Sequence, residues 1–282
     1  MAEILRGKVV ADKIKEKMVE RIKKLNDKGI EPTLAIVRLG EDPSDISYEK
    51  GIIKSAEKLG IKTVIKEEEV SLKTEELVNI IEELNNDDKI SGILVFRPLP
   101  KGIDEEVISK TISPEKDVDC MNPLNLAKIF EGDMSGFAPG TPKAAIEILI
   151  NNNIDLEGKN VVVINRSLVV GKPLAMMLLE KNATVTICHS RTKDLDKITK
   201  DADIVMTALG RAKFLDEKYF NKDSIIIDIG VSMDEDGKMS GDVDFENVED
   251  KVAKITPVPR GVGSVTNTVL LDNVVKGCEK RA

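Results

Sequence analysis

The segment 161–179, VVVINRSLVVGKPLAMMLL, contains the residue types that can bind an anion. An apolar strand leads through a loop with Asn165 and Ser167 into a helix that begins near Gly171. Backbone N–H groups and a helix N-terminus then point at a group such as the pyrophosphate of a dinucleotide. The spacing is not GxGxxG, because Gly171 is the single glycine present. An ordinary strand-to-helix turn is the alternative interpretation.

The next apolar strand ends at Cys188 and is followed by His189, Ser190 and Arg191. A free ribose 2′-hydroxyl is usually bound by a carboxylate at this place, whereas a 2′-phosphate requires Arg and hydroxyl donors. No carboxylate is present, and Arg166, Ser190 and Arg191 can all donate to a phosphate. The pattern favours NADP over NAD. The alternative is that both arginines are solvated loop charges.

Two further loops, 228–231 and 257–264, are rich in small residues and follow apolar strands. Glycine allows backbone to approach a flat ring, and ligands of open α/β sheets lie at the carboxyl ends of strands. A nicotinamide fits such loops, although simple turn geometry also accounts for Gly and Pro.

Strands and helices alternate along the whole chain, which predicts parallel sheets with helices on their faces and an α/β fold. A cluster of Gly and Pro near 137–142 predicts a boundary between two domains. The predicted strands are 33–39, 61–70, 92–96, 160–164, 184–188, 204–208 and 224–229; the predicted helices are 9–28, 44–59, 74–85, 141–152, 172–181 and 266–280.

Composition excludes several classes of protein. The 282 residues are 41% hydrophobic and 33% charged, and 42 Lys and Arg face 50 Asp and Glu. This acidic, globular composition argues against intrinsic disorder and against wrapping of nucleic acid. Apolar runs are too short to cross a bilayer. The three widely spaced cysteines indicate a cytoplasmic protein in a reducing compartment. His189 is the only histidine, so we expect no zinc or other metal site and no Ser-His-Asp triad.

Nine segments along the chain occur in the order known from one enzyme family: GEDPSDISYEKGIIKSAEKLGI, SPEKDVDCMNP, FAPGTP, VINRSLVVGKP, ATVTICHSRT, DIVMTALG, IIIDIGV, GDVDF and ITPVPRGVGSVT. This is a resemblance to the methylenetetrahydrofolate dehydrogenase/cyclohydrolase family. It implies an N-terminal α/β folate-binding domain over 1–139, against which a C-terminal helix at 266–282 packs, and a Rossmann-type NADP-binding domain over 140–265. It also implies a cleft between the domains, a homodimer, tetrahydrofolate as the substrate carrier and a role in one-carbon metabolism.

The resemblance assigns roles to individual residues. Tyr48 corresponds to the tyrosine that lines the folate cleft, and Asp119 to the aspartate that holds the pterin. The remaining correspondences are the cofactor loop Asn165, Arg166, Ser167 and Gly171, the ribose-phosphate neighbours Ser190 and Arg191, the nicotinamide neighbour Val231, and the substrate loop 257–266 with Pro259, Gly261 and Gly263.

Two positions depart from the family pattern. Ile52 stands where the family has its catalytic lysine, one helical turn after Tyr48, and Phe96 stands where it has the glutamine that binds this lysine. Hydrolysis of methenyltetrahydrofolate requires general acid–base catalysis, whereas hydride transfer requires mainly that the folate and nicotinamide rings are held face to face. We therefore expect NADP-dependent oxidation of 5,10-methylenetetrahydrofolate with a weak or absent cyclohydrolase.

Three alternatives remain open. The first is the fully bifunctional enzyme, with Lys50 or Lys54 re-sited by a helix distortion at Gly51. The second is a non-catalytic folate- or nucleotide-binding module, because Arg260 and Ser264 alter the substrate loop. The third is an oxidoreductase for another small substrate, against which Tyr48 and Asp119 argue.

Overall fold

The first 139 residues alternate between strands and helices, as predicted. A computed structural model describes residues 1–282. The elements are β1 (Glu3–Ile4), α1 (Gly7–Asn26), β2 (Thr33–Leu39), α2 (Pro43–Leu59), β3 (Lys62–Glu68), α3 (Thr74–Asn86), β4 (Gly92–Val95), α4 (Glu105–Thr111) and α5 (Pro123–Phe130).

The second half repeats the alternation. Its elements are α6 (Gly140–Asn151), β5 (Asn160–Ile164), α7 (Gly171–Leu179), β6 (Thr184–Cys188), α8 (Leu195–Lys200), β7 (Ile204–Thr207), β8 (Ile225–Asp228), β9 (Ser232–Met233), β10 (Met239–Ser240), α9 (Phe245–Val248), β11 (Lys254–Ile255) and α10 (Gly263–Glu279). None of the helices is both long enough and apolar enough to span a membrane.

Contacts divide the chain into two units, and both are discontinuous. One unit contains residues 13–139 and 267–282, and the other contains 1–12 and 140–266. We call them the folate unit and the nucleotide unit, after the roles that the resemblance implies. The predicted N-terminal domain, 1–139, included residues 1–12. In the structure these residues belong to the nucleotide unit, because β1 pairs in parallel with β11. A two-residue strand has too little sequence pattern to predict this pairing.

The folate unit is built on a parallel three-stranded sheet in the order β3-β2-β4. Alternate side chains of β2 enter two cores, since successive residues of a strand face opposite sides. Leu34 and Ile36 join a cluster with α1, α2 and α10, whereas Ala35 and Val37 join one with α3 and α4. Coverage of both faces explains why 34–37 of β2 is an uninterrupted apolar run.

The nucleotide unit contains a parallel six-stranded sheet in the order β1-β11-β8-β7-β5-β6. β5 lies beside both β6 and β7, with Ile164 opposite Cys188 and Thr207. The carboxyl ends of these strands therefore share one edge of the sheet, which is where ligands of doubly wound α/β sheets bind. The predicted α/β fold with two domains and a Rossmann-type nucleotide unit is confirmed.

Candidate active site

Tyr48 lies on α2, and the start of this helix is fixed locally. The Asp42 side chain accepts bonds from the backbone N–H groups of Ser44 and Asp45, and Pro43 occupies the first turn. The Tyr48 ring packs 5.5 Å from the ring of Phe96, between centroids. Desolvation, followed by the nearby Asp119 charge, raises the pKa of Tyr48 to about 12. The phenol therefore stays protonated at neutral pH and can donate a hydrogen bond.

Asp119 is paired with a cation that the sequence analysis did not single out. Arg97 donates from Nη2 to Oδ2 of Asp119 at 2.9 Å, and the two side chains are 21% and 31% exposed. Burial raises the pKa of Asp119, while the Arg97 charge opposes that shift. Arg97 is the one charged residue of the turn 96–100, but the sequence does not indicate that it pairs with Asp119.

The loop that carries Asp119 is held by its neighbours. The buried Asp117 carboxylate accepts bonds from the N–H groups of Met121 and Asn122, both at 2.8 Å. Cys120 has the left-handed φ of 57°, which is uncommon for a residue other than glycine. A short, hydrogen-bonded loop of this kind leaves the Asp119 side chain little freedom.

The two departures from the family pattern lie in the core. Ile52 is fully buried and Phe96 is 7% exposed, and both belong to the cluster formed with α1 and α10. Helix α2 runs unbroken through Gly51, so it has no distortion that would re-site a lysine. Lys50 and Lys54 are both exposed. Both positions are thus filled by apolar side chains that pack in the core.

The loop between β5 and α7 in the nucleotide unit is closed by Asn165. Its Oδ1 accepts from the N–H groups of Ser167 at 2.8 Å and Gly171 at 3.1 Å, and its Nδ2 donates to Ala208 O at 2.6 Å. A Cβ at Gly171 would collide with the backbone of Asn165 and Arg166. The side-chain amide of Asn165 therefore shapes the loop, which leaves cofactor contacts to the backbone and to neighbouring side chains.

Arg166, Ser190 and Arg191 follow adjacent strands at the same sheet edge. Each is exposed, and Arg166 and Arg191 make no side-chain hydrogen bond or ion pair within the chain. His189 is part of the local turn, because its Nδ1 accepts from the Arg191 N–H at 3.2 Å. Two unpaired guanidinium groups beside a hydroxyl fit a bound phosphate.

Val231 is 54% exposed and follows β8. Gly230 before it approaches the carboxyl group of Asp242 so closely that a Cβ would collide with it. Asp242 is fully buried and accepts from the Thr207 hydroxyl at 2.7 Å and from two backbone N–H groups. The packing of Gly230 on Asp242 and the bond from the Gly230 N–H to Asp228 restrict the backbone just before Val231.

The loop after β11 is also tightly folded. Gly261 lies against the carbonyl of Pro257, and the Arg260 carbonyl accepts from the Gly7 N–H at 2.9 Å. Arg260 is exposed and has the left-handed φ of 81°. Pro259 and Gly263 are exposed in the same loop.

The predicted site residues thus form two groups. Tyr48 and Asp119 lie together in the folate unit, and the remaining predicted residues follow β5, β6, β8 and β11 in the nucleotide unit. A closed glycine turn with unpaired cations fits a phosphorylated dinucleotide.

Comparison with known proteins connects both groups to one family. Residues 5–119 match the family described as "Tetrahydrofolate dehydrogenase/cyclohydrolase, catalytic domain". Residues 139–282 match "Tetrahydrofolate dehydrogenase/cyclohydrolase, NAD(P)-binding domain". The "Bifunctional protein FolD" of Clostridium botulinum strain Hall is 58% identical over 282 residues, which is 100% of each chain.

Two solved structures share the whole fold. The bifunctional FolD methylenetetrahydrofolate dehydrogenase/cyclohydrolase of Campylobacter jejuni superposes with a TM-score of 0.97 at 41% identity, covering 100% of both chains. The Trypanosoma brucei N5,N10-methylenetetrahydrofolate dehydrogenase-cyclohydrolase, complexed with NADP cofactor and inhibitor, has a TM-score of 0.93 at 31% identity and covers 99% of this chain and 98% of its own.

Proposed function

Since this chain belongs to the tetrahydrofolate dehydrogenase/cyclohydrolase family, we propose that it catalyses both reactions of that name with NADP. The first reaction removes a hydride from the bridging carbon of 5,10-methylenetetrahydrofolate and gives the methenyl cation. The second adds water to that cation, opens the ring to 10-formyltetrahydrofolate and releases a proton. The observation that carries the proposal is the full-length match to a relative named as bifunctional.

For the oxidation, NADP accepts the hydride when bound. We propose that Arg166, Ser190 and Arg191 bind its 2′-phosphate and that the Gly171 turn takes its pyrophosphate. In this proposal Asn165 and Ser167 shape the turn, and Val231 lies beside the nicotinamide. Tyr48 and Asp119 hold the folate, together with the loop that contains Pro259, Gly261 and Gly263.

The bifunctional proposal replaces the expectation of a weak or absent cyclohydrolase. That expectation followed from Ile52 and Phe96, and the names of the relatives favour the bifunctional alternative. Re-siting Lys50 or Lys54 is not part of the proposal, because α2 is regular and both lysines are exposed. In this proposal Tyr48 and Asp119 are the polar side chains of the folate unit that accompany hydrolysis.

A dehydrogenase without cyclohydrolase activity is the second candidate. One observation favours it: Ile52 and Phe96 are packed into the core and offer no proton donor or acceptor.

One paired assay separates the two candidates. Purified protein is given methylenetetrahydrofolate with NADP, and separately methenyltetrahydrofolate alone. We expect NADPH to form and the methenyl absorbance to disappear faster than in buffer, in proportion to enzyme concentration. Accumulation of methenyltetrahydrofolate with no enzyme-dependent loss would favour the second candidate. Absence of NADPH formation would contradict both candidates. A parallel assay with NAD tests the cofactor preference.

A further inference from the structure

The ion pair between Arg97 and Asp119 is the strongest feature of the folate unit that the proposed function leaves without a role. The pair joins the turn after β4 to the loop after Val118, across 22 positions of sequence. One Nη2 donor and one Oδ2 acceptor are used, and no other side-chain hydrogen bond is made by either residue. Oδ1 of Asp119 and the remaining guanidinium donors of Arg97 are therefore available to a ligand.

The free groups form a defined pattern. A carboxylate oxygen that only accepts stands beside guanidinium N–H groups that only donate. The pyrimidine ring of a reduced pterin presents the opposite pattern along one edge, because its N3–H and 2-amino groups donate and its adjacent C4 carbonyl accepts. The carboxylate can accept from the donors of this edge, and the neighbouring planar guanidinium can donate to its carbonyl.

We propose that Arg97 and Asp119 bind the pterin as a unit, in which Asp119 accepts from N3–H and Arg97 donates to the C4 carbonyl. Arg97 is thereby a substrate-binding and positioning residue of this chain. The inference rests on the proposed folate specificity and adds to it the residue that selects an oxo group at C4.

The surroundings show why the pair is suited to binding rather than to stability alone. Both side chains remain partly exposed, at 21% and 31%, and a pair of this kind contributes little to folding. The loop of Asp119 already has the buried Asp117 carboxylate to fix it. Asp117 thus holds this loop through two backbone bonds that do not involve Arg97.

The charged and titratable groups around Asp119 come from three elements. Tyr48 faces it from α2, Arg97 from the turn after β4, and Asp117 and Cys120 from its own loop. Arg97 is the only cation among them. Its removal should therefore allow the desolvated Asp119 carboxyl to take up a proton at higher pH, since Arg97 lowers the pKa of this group.

The test compares Arg97→Leu and Arg97→Lys with the wild type and with Lys101→Leu. Lys101 is an exposed cation nearby in the chain and serves as the matched charge control. For each protein, KM and kcat are measured for methylenetetrahydrofolate and NADP across pH 5 to 9, and tetrahydrofolate binding is measured by calorimetry. Arg97→Leu should raise the KM for the folate and the Kd for tetrahydrofolate by about tenfold or more. The KM for NADP should stay within about twofold, as expected for a change confined to folate binding.

Two further results are expected. The acid limb of kcat/KM should move to higher pH in Arg97→Leu, and Arg97→Lys should restore part of the affinity, because lysine keeps the charge without the planar fork. Wild-type values of folate KM and Kd in Arg97→Leu would overturn the proposal. A fall in kcat alone, with unchanged affinity and pH profile, would also overturn it.

The outcomes also separate this inference from the proposed function. If the wild type binds tetrahydrofolate without turnover, the proposed function fails, and a tenfold weaker Kd in Arg97→Leu still supports the pair. A wild type that binds no tetrahydrofolate would overturn both. If Arg97→Leu does not fold by circular dichroism, Arg97→Lys and Arg97→Gln decide: wild-type affinity in Arg97→Gln would contradict the role.

Discussion

Asp228 and Asp242 form a buried acidic pair at the end of the central strands of the nucleotide unit. The Asp228 carboxylate accepts from the N–H groups of Gly230, Asp242 and Val243 at 2.9 to 3.1 Å. Desolvation is the larger effect, and together with the Asp242 charge it raises the pKa of Asp228 from 3.8 to about 7. The folded state therefore binds a proton here that the unfolded state releases near pH 4.

This proton uptake predicts a pH dependence of stability. A folded pKa above the unfolded value gives stability that is complete below about pH 4 and is lost as pH rises through about 7. Between these values the free energy of unfolding should fall by up to about 1.4 kcal/mol per pH unit from this group. Urea unfolding at several pH values should show that the free energy of unfolding falls less steeply with pH in Asp228→Asn than in the wild type. Asp223→Asn, an exposed carboxylate before the same strand, is the control, and equal slopes in all three proteins would contradict the prediction.

Residue types were predictable at the site, but their partners were not. Tyr48 and Asp119 were identified because their sequence context matches a family pattern. The pairing of Asp119 with Arg97 depends on how two loops meet, and nothing in the spacing of these residues encodes that contact. The side chain of Asn165 was expected near a cofactor, and its polar atoms bond to backbone: Oδ1 accepts from its own loop, and Nδ2 donates to the Ala208 carbonyl after β7.

At the scale of elements, Lys116 is an unusual helix cap. Its ammonium group donates to the carbonyls of Leu84, Asn85 and Asp87 at 2.7 to 3.0 Å, at the end of α3. The last carbonyls of a helix lack partners within the helix, and a cation also interacts favourably with that end of the dipole. Lys116 is only 5% exposed, and desolvation lowers its pKa.

Removal of this ammonium group should cost stability. Lys116→Met keeps the length of the side chain but leaves the carbonyls of Leu84 and Asn85 without this donor, and the Asp87 carbonyl with only the Ile90 N–H. We therefore expect a loss of about 2 to 4 kcal/mol in the free energy of unfolding. Lys110→Met is the control, because Lys110 is exposed and makes an i,i+4 pair with Glu106 worth about 0.5 kcal/mol or less. Equal losses in both variants would show that the three bonds contribute nothing.

Elements were predictable where packing imposes a clear pattern. The predicted bounds of β2, β5 and β6 agree with the structure, since parallel strands have short apolar runs with sharp ends. Helices α4 and α5 were not predicted. They have only seven and eight residues, and their starts depend on the side chains of Asp104 and Asn122, which are equally common in turns.

At the scale of the whole molecule, the family resemblance implies a homodimer, and β6 is a candidate for its interface. This strand lies at the edge of the six-stranded sheet, and Ile187 on it is 38% exposed. An unpaired edge strand with an apolar side chain favours association with another chain. We therefore expect a second copy of the chain to bind at β6.

Ile187→Lys tests this expectation, because a lysine on an edge strand opposes pairing. Sedimentation velocity should show a dimer for the wild type and a shift toward monomer for the variant at the same concentration. Met233→Lys, at a methionine that is 63% exposed on β9, should leave the dimer unchanged. A monomeric wild type, or an Ile187→Lys variant as dimeric as the wild type, would contradict the prediction.

Helix α10 belongs to the folate unit although it comes last in the chain. Asn273 on this helix donates to the carbonyls of Val118 and Ala138, and Leu270, Leu271 and Val274 fill the core around Ile52. During synthesis, all of the nucleotide unit therefore emerges from the ribosome before the final segment of the folate unit does. Until then the sheet of the folate unit has one face only partly covered, by α1 and α2 without α10. We expect chaperones to bind the nascent protein mainly in this interval, because its apolar surface is still exposed.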